Sequence, residues 1–264
     1  MKVLFASYGS ELASSRLRAV IPQRELAKMG IERGNDVLIY GKHFLSIKDV
    51  SAFGKLIFDV CDQHLDHPEL GEYYRSHIAN ADAVTCNSEV MKQRIKTVTG
   101  RDAIVVGEPY EHEELEAKIA PRLFWYGHKS NFADLERIES QLHYPLLAMS
   151  NYPGCVEWTQ ESFDKAISQP CIVIIPTGEK KAKSENRMVE AIRCGKYVCA
   201  EHLPSYEPFG EFYPLGDIPE HIERALAVPR ETIERIKAAQ AYIRDKYSPR
   251  TIAQQWLGVI NGIS

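Results

Sequence analysis

Cys171-Ile172-Val173-Ile174-Ile175-Pro176, then a loop from Thr177 to Lys183, then Ser184-Glu185-Asn186-Arg187-Met188-Val189-Glu190-Ala191-Ile192-Arg193-Cys194-Gly195, is the stretch on which the reading of this chain turns. The first run is short, apolar and rich in β-branched residues, the pattern of a strand buried on both faces of a parallel sheet. Ser184 suits a helix N-cap and Gly195 the position just past a helix end. If the helix starts there, Lys183, Arg187 and Glu190 share one face, three and four residues apart. That face looks toward the carboxyl end of the strand, where open α/β sheets bind ligands. Cations at a helix N-terminus suit a phosphate, and a carboxylate one turn on suits sugar hydroxyls. The same three residues also fit an ordinary solvated face with weak ion pairs.

Outward from this unit, strand-like and helix-like runs alternate along the chain. Val3–Ser7, Asp36–Tyr40, Lys55–Cys61, Ala83–Cys86 and Ala103–Val106 read as strands before Glu111. Arg122–Tyr126, Tyr144–Met149, Cys171–Ile175 and Tyr197–Ala200 read as strands after it. Leu12–Met29 reads as mostly helical, with Pro22 either kinking it or starting a second segment. Asn87 or Ser88, Asp217 and Ser248 read as helix caps. The alternation predicts α/β architecture with parallel sheets. Two Rossmann-like domains account for it, with residues 1–115 as the first, 116–246 as the second, and 247–264 as a C-terminal helix packing back on the first. One continuous doubly wound sheet is the other arrangement that fits.

The chain has 264 residues, 44% of them hydrophobic and 26% charged, which suits two modest domains with packed cores. The net charge of −4 supplies no global basic field of the kind that drives nucleic-acid binding. The six cysteines include no Cys-x-x-Cys pair, and the expectation is a reduced, cytoplasmic protein without structural zinc. No run of about 18 apolar residues suggests a membrane span.

Spaced motifs then bring a resemblance into view. Ser15-Arg16-Leu17-Arg18 through Pro22, Leu26 and Gly30 opens it, and Phe58-Asp59 to Asp62 and Ala81-Asp82-Ala83-Val84-Thr85-Cys86-Asn87-Ser88 continue it. Trp125-Tyr126-Gly127, Asn186-Arg187 with Glu190-Ala191 and Gly195, and Pro204-Ser205-Tyr206 complete it. In order and spacing the chain resembles the GT-B glycosyltransferases of the retaining, glycogen-synthase-like (family 4-like) superfamily. The resemblance implies two Rossmann-like domains with parallel sheets facing across a cleft, and transfer of a sugar from a nucleotide-diphosphate sugar. It implies a donor site in the second domain, with Glu190 on the ribose and Lys183, Asn186 and Arg187 near the diphosphate. Gly127, His128 and Lys129 stand where the family carries a glycine and a basic pair. Gly9 and Ser10 line the sugar and acceptor side, with Arg16 nearby. Where the family has two glutamates seven residues apart, the first position here is Ala182.

Such enzymes stabilise the departing diphosphate with fixed cations and N–H groups, and neither a metal nor a further cofactor is expected. Asp59-Val60-Cys61-Asp62, with His64, Asp66 and His67 following, falls past the third strand. Asp62 or His64 would contact the sugar or accept the proton of the attacking hydroxyl. A polar turn with capping aspartates fits the same residues. Arg16 and Arg18 suit an anionic acceptor or a surface pair, and Trp125 and Tyr126 suit base stacking or burial. The acceptor is expected to be soluble, with a modified DNA base as one option, and the protein a monomer or homodimer. A sugar-nucleotide epimerase or hydrolase, or a binding protein with a decayed site, are the competing functions.

Overall fold

The computed structural model describes the whole chain apart from residues 8–11, 43–44, 179–182 and 264. It forms two compact units. The first comprises Met1–Glu111, Ala182–Ser184 and Lys246–Ser264, and the second His112–Lys181 and Glu185–Asp245.

The first unit holds a five-stranded, all-parallel sheet in the order β1 (Lys2–Phe5), β2 (Glu32–Tyr40), β3 (Lys55–Val60), β4 (Ala83–Cys86) and β5 (Ile104–Val105). Both faces are buried, which explains the unbroken apolar runs. Successive residues of β2 feed opposite faces. Val37 and Ile39 pack with Val3, Phe5, Leu26 and Trp256, whereas Leu38 and Tyr40 pack with Phe58, Tyr74, Ile78 and Ile95. The helix Pro249–Gly262 belongs to the first of these layers. Its Trp256 ring meets Phe5 edge-on at 5.2 Å between centroids.

Pro22 starts a second helical segment, the second of the two expectations for it. The helix Ile21–Lys28 carries it at its start, and the turn before, Arg16–Val20, is π-helical, with the Ile21 N–H donating to the Arg16 carbonyl. Proline has no N–H for the preceding turn, and a wider turn relieves the clash of its ring.

The second unit holds a four-stranded parallel sheet in the order β7 (Leu146–Met149), β6 (Leu123–Tyr126), β8 (Ile172–Ile175), β9 (Tyr197–Ala200). The chain leaves β6 to one side for β7 and returns to the other side for β8. Such a reversal opens a crevice beyond the carboxyl ends of β6 and β8. The crevice-facing helix begins at Asn186 with Glu185 as N-cap, so Ser184 does not cap it and Lys183 precedes it. The shared helical face expected of Lys183, Arg187 and Glu190 therefore reduces to Arg187 and Glu190.

Residues 112–118 are stitched to the far end of that helix. Leu115 N–H donates to the Arg193 carbonyl at 3.1 Å and Lys118 N–H to Gly195 at 3.2 Å. Gln240 Nε2 donates to the Leu115 carbonyl at 2.8 Å. Gly195 ends the helix with φ +70°, and a Cβ there would lie 2.5 Å from the Glu116 carbonyl oxygen. Gly195→Ala is expected to cost about 2 kcal/mol or more, from left-handed strain plus the displaced connector. A lowered urea midpoint at unchanged slope would show it, and an unchanged midpoint would refute it. Among the described residues no helix is long and apolar enough to cross a membrane.

Candidate functional site

In the second unit the carboxyl ends of the strands collect the groups singled out in the sequence. The run Leu123-Phe124-Trp125-Tyr126 ends at Gly127, whose missing side chain lets neighbours close in. A Cβ there would sit 3.4 Å from Arg187 Nη1 and 3.6 Å from Asn131 Nδ2. Arg187 Nη1 donates to the Tyr126 carbonyl at 3.3 Å, and the Tyr126 hydroxyl donates to the Arg187 carbonyl at 2.8 Å. The two exchanges lock the start of the Asn186–Arg193 helix to the end of β6. Arg187 is half-buried and Asn186, the first helical residue, is half-buried beside it. Arg187 also faces the buried Tyr206 ring, whose hydroxyl is pushed up by burial and pulled down by the guanidinium.

His128 and Lys129 follow Gly127 on the surface. His128 caps a single turn, Lys129–Asn131, with its Nδ1 accepting from the Ser130 N–H at 3.3 Å. Lys129 N–H donates to Asn151 Oδ1 at 3.0 Å and leaves its side chain exposed. A guanidinium and an amide thus close on one glycine at the switch between β6 and β8, with the first turn of a helix carrying the guanidinium and an exposed lysine two residues on from the glycine. This arrangement attracts an anion and suits a diphosphate. Just beyond β8, Thr177 and Gly178 donate their N–H groups to Glu201 Oε2 at 2.8 and 2.9 Å, with Arg137 closing on the same carboxylate at 2.7 Å.

Glu190, one turn after Arg187, is 8% exposed and turned onto His112. Its Oε1 accepts from the His112 N–H at 3.1 Å and meets the ring Nδ1 of the same residue. The ring's Nε2 meets Asp164 Oδ1 at 2.8 Å. Burial opposes charge on the ring, but the two carboxylates prevail and raise its pKa to about 9. Cys194 Sγ joins Glu190 and His112 within 4.8 Å. Burial pushes the Cys194 thiol up, so the charged groups paired here are Glu190, His112 and Asp164. Trp125 is fully buried and Tyr126 is 8% exposed, so both are core aromatics rather than open stacking platforms.

In the first unit the carboxyl edge is polar and internally paired. Arg18, expected as a surface residue or an anion contact, is 5% exposed. It forks onto Asp59 with Nε–Oδ2 at 2.9 Å and Nη2–Oδ1 at 2.6 Å. Its Nη1 donates to the carbonyls of Val106 and Gly107. Arg16 is engaged as well, pairing with Glu111 at 2.6 Å. A cavity of about 40 Å³, lined by Ser14, Ser15, Arg18, Lys42, Asp59 and Cys61 among others, opens over this edge. That volume has room for a small polar group.

Asp62 is ion-paired with Lys42, one of the residues that line the cavity. The His64 N–H donates to the Asp62 carbonyl at 2.8 Å. The His64 ring lies 5.3 Å from Tyr74, and burial, then Lys42 and His67, lower its pKa, so it is neutral at pH 7. The Asp62–His64 segment is therefore a polar turn held by Lys42. Gly9 and Ser10 lie outside the described residues, as does Ala182. All six cysteines are free.

Sequence reasoning missed the His112–Asp164 pair and the burial of Arg18. His112 lies in an acidic, unpatterned connector, and its partners are 78 and 52 residues away. The aspartate at position 59 was visible, but its depth was not.

A scan of protein-family models found no match, and a search of curated proteins found none. Solved structures do match the fold. T4 phage β-glucosyltransferase superposes with a TM-score of 0.58 at 11% identity, over 100% of this chain and 99% of that one. An α-glucosyltransferase in complex with UDP-glucose and DNA containing an abasic site matches with a TM-score of 0.56 at 9% identity, over 92% of this chain and 84% of that one. S. aureus TarM, in a complex that includes UDP, matches with a TM-score of 0.62 at 11% identity over 85% of this chain, which spans only 55% of TarM. The chain has the α/β fold of the GT-B glycosyltransferases.

Proposed function

We propose that the protein is a glycosyltransferase that moves a sugar from a nucleotide-diphosphate sugar, with UDP as the donor nucleotide, to a hydroxyl acceptor. The observation that carries this reading is the Arg187 guanidinium held over Gly127 at the sheet's switch point. There it meets the charge that develops on the departing diphosphate. Asn186, Lys129 and His128 add donors to the same end of the unit, Lys183 lies just before the helix, and Glu190 takes the ribose hydroxyls.

The Arg187, Glu190-Ala191 and Gly195 pattern supports retention of the anomeric configuration and transfer without a metal. The fold itself houses enzymes named for both anomers, so product stereochemistry is read from the anomeric proton signal. For the acceptor we favour a hydroxylated DNA base in the cytoplasm. The end-to-end match to T4 phage β-glucosyltransferase and the DNA complex of the α-glucosyltransferase support it. Asp62 and His64 serve the acceptor, the neutral His64 ring being able to take the proton of the attacking hydroxyl.

UDP, GDP, ADP and dTDP, each in excess, test the donor site. UDP at about 100 times its dissociation constant should add about 2.7 kcal/mol to folding stability, seen as a rise in melting temperature. Absence of a shift with all four would overturn the assignment.

A further inference from the structure

His112 is the first residue of the second unit and takes no part in the transfer chemistry above, yet it is among the most heavily engaged side chains there. Its backbone N–H and its ring Nδ1 both address Glu190 Oε1. Its Nε2 addresses Asp164 Oδ1 at 2.8 Å. Gln160 Nε2 donates to that same Asp164 oxygen at 2.8 Å, and the ring packs against Phe163 at 5.4 Å between centroids. Arg193 Nε holds the His112 carbonyl at 3.2 Å. The connector, the helix Gln160–Ser168 and the helix Asn186–Arg193 thus converge on one imidazole ring, which holds a carboxylate at each nitrogen.

We propose that His112, oriented by Asp164, is a positioning residue that fixes the Glu190 carboxylate for the vicinal hydroxyls of the donor's ribose. A carboxylate that must accept from a diol loses affinity if it first has to be ordered. Here a charge-assisted contact from the ring and a second from the backbone remove its freedom. Asp164 acts through the ring: with Glu190 it stabilises the charged imidazolium, the form in which Nε2 and Nδ1 both donate. The groups facing the ring are Glu190 and Cys194 from one helix, Asp164 and Gln160 from the other, and Arg193 through the backbone.

The contact is complete below about pH 6.5, the ordinary imidazole value, and is lost as pH rises through about 9, where the ring gives up its proton. This inference rests on the nucleotide reading above, and the test separates the two. Dissociation constants of UDP and of 2′,3′-dideoxyuridine diphosphate are measured for the wild type, His112→Gln and Asp164→Asn, each checked for an intact melting transition.

The expected result is a loss of about tenfold for UDP in both variants, with the dideoxy analogue unaffected. Wild-type UDP affinity should also fall above pH 9, with a flatter profile in His112→Gln. Equal losses for the two nucleotides, or none, would overturn the positioning role while leaving nucleotide binding intact. Failure of the wild type to bind either nucleotide would overturn the donor site and this inference with it.

Discussion

Asp59→Ala is expected to destabilise the protein by about 3–5 kcal/mol, the usual cost of stranding one partner of a buried ion pair. Asp59 and Arg18 are each 5% exposed. The carboxylate receives Nε and Nη2 of Arg18 and, on the same Oδ1 as Nη2, the Thr85 hydroxyl at 2.8 Å. Burial works against the guanidinium's charge, but the contact with Asp59 outweighs it and raises its pKa. The Arg18 guanidinium carbon also lies 5.1 Å above the Trp256 ring, tying the C-terminal helix to the pair.

Without Asp59 the charge loses the carboxylate it is forked onto, and only the less closely engaged Glu108 and the small cavity beside it remain to offset its burial. Asn at position 59 keeps the shape and one acceptor, so it should recover part of the loss. The double replacement Arg18→Met with Asp59→Leu should cost less than Asp59→Ala alone, because no buried charge remains. Urea unfolding of the four proteins measures all of this. A loss below 1 kcal/mol for Asp59→Ala would show that the pair is solvated in solution.

Arg187→Ala should lower the catalytic efficiency with the nucleotide sugar by about 10²–10³-fold, the range found for deleting one preorganised donor to a developing anion. The fold should survive the change. The Tyr126 hydroxyl donates to the backbone carbonyl of residue 187, a bond that any residue there can accept. Lys at this position should restore only part of the rate, since an ammonium cannot reproduce the planar fork of donors. Single-turnover kinetics give the comparison most directly. A variant with wild-type turnover and unchanged UDP affinity would remove Arg187 from the chemistry.

The strands and most helix caps were legible because their causes are local. Ile172–Ile175 and Tyr197–Ala200 are apolar runs that only a doubly covered sheet can hide. Asp217 and Ser248 cap the helices expected of them, through Glu220 N–H and Thr251 N–H. Helix phase is a finer matter. Ser184 and Glu185 both precede a good helical run, and the choice of Glu185 removed Lys183 from the face it had been assigned. Gly127 and Arg187 were singled out separately; their approach to each other needs β6 and the helix at 186 to be laid side by side.

By itself, the sequence determined the alternation of strand and helix, the apolar faces, and the residue types available for an anion site, since each depends on neighbours within a few positions. Tertiary structure decided which charges are spent on holding the protein together and which stay outside such pairs at the sheet's edge. Arg18 and Arg16 look alike in the sequence as partners for an anion, yet both are consumed by Asp59 and Glu111, 41 and 95 residues away. Burial and pairing are properties of the assembled core, because the cost of an isolated charge is set by everything packed around it.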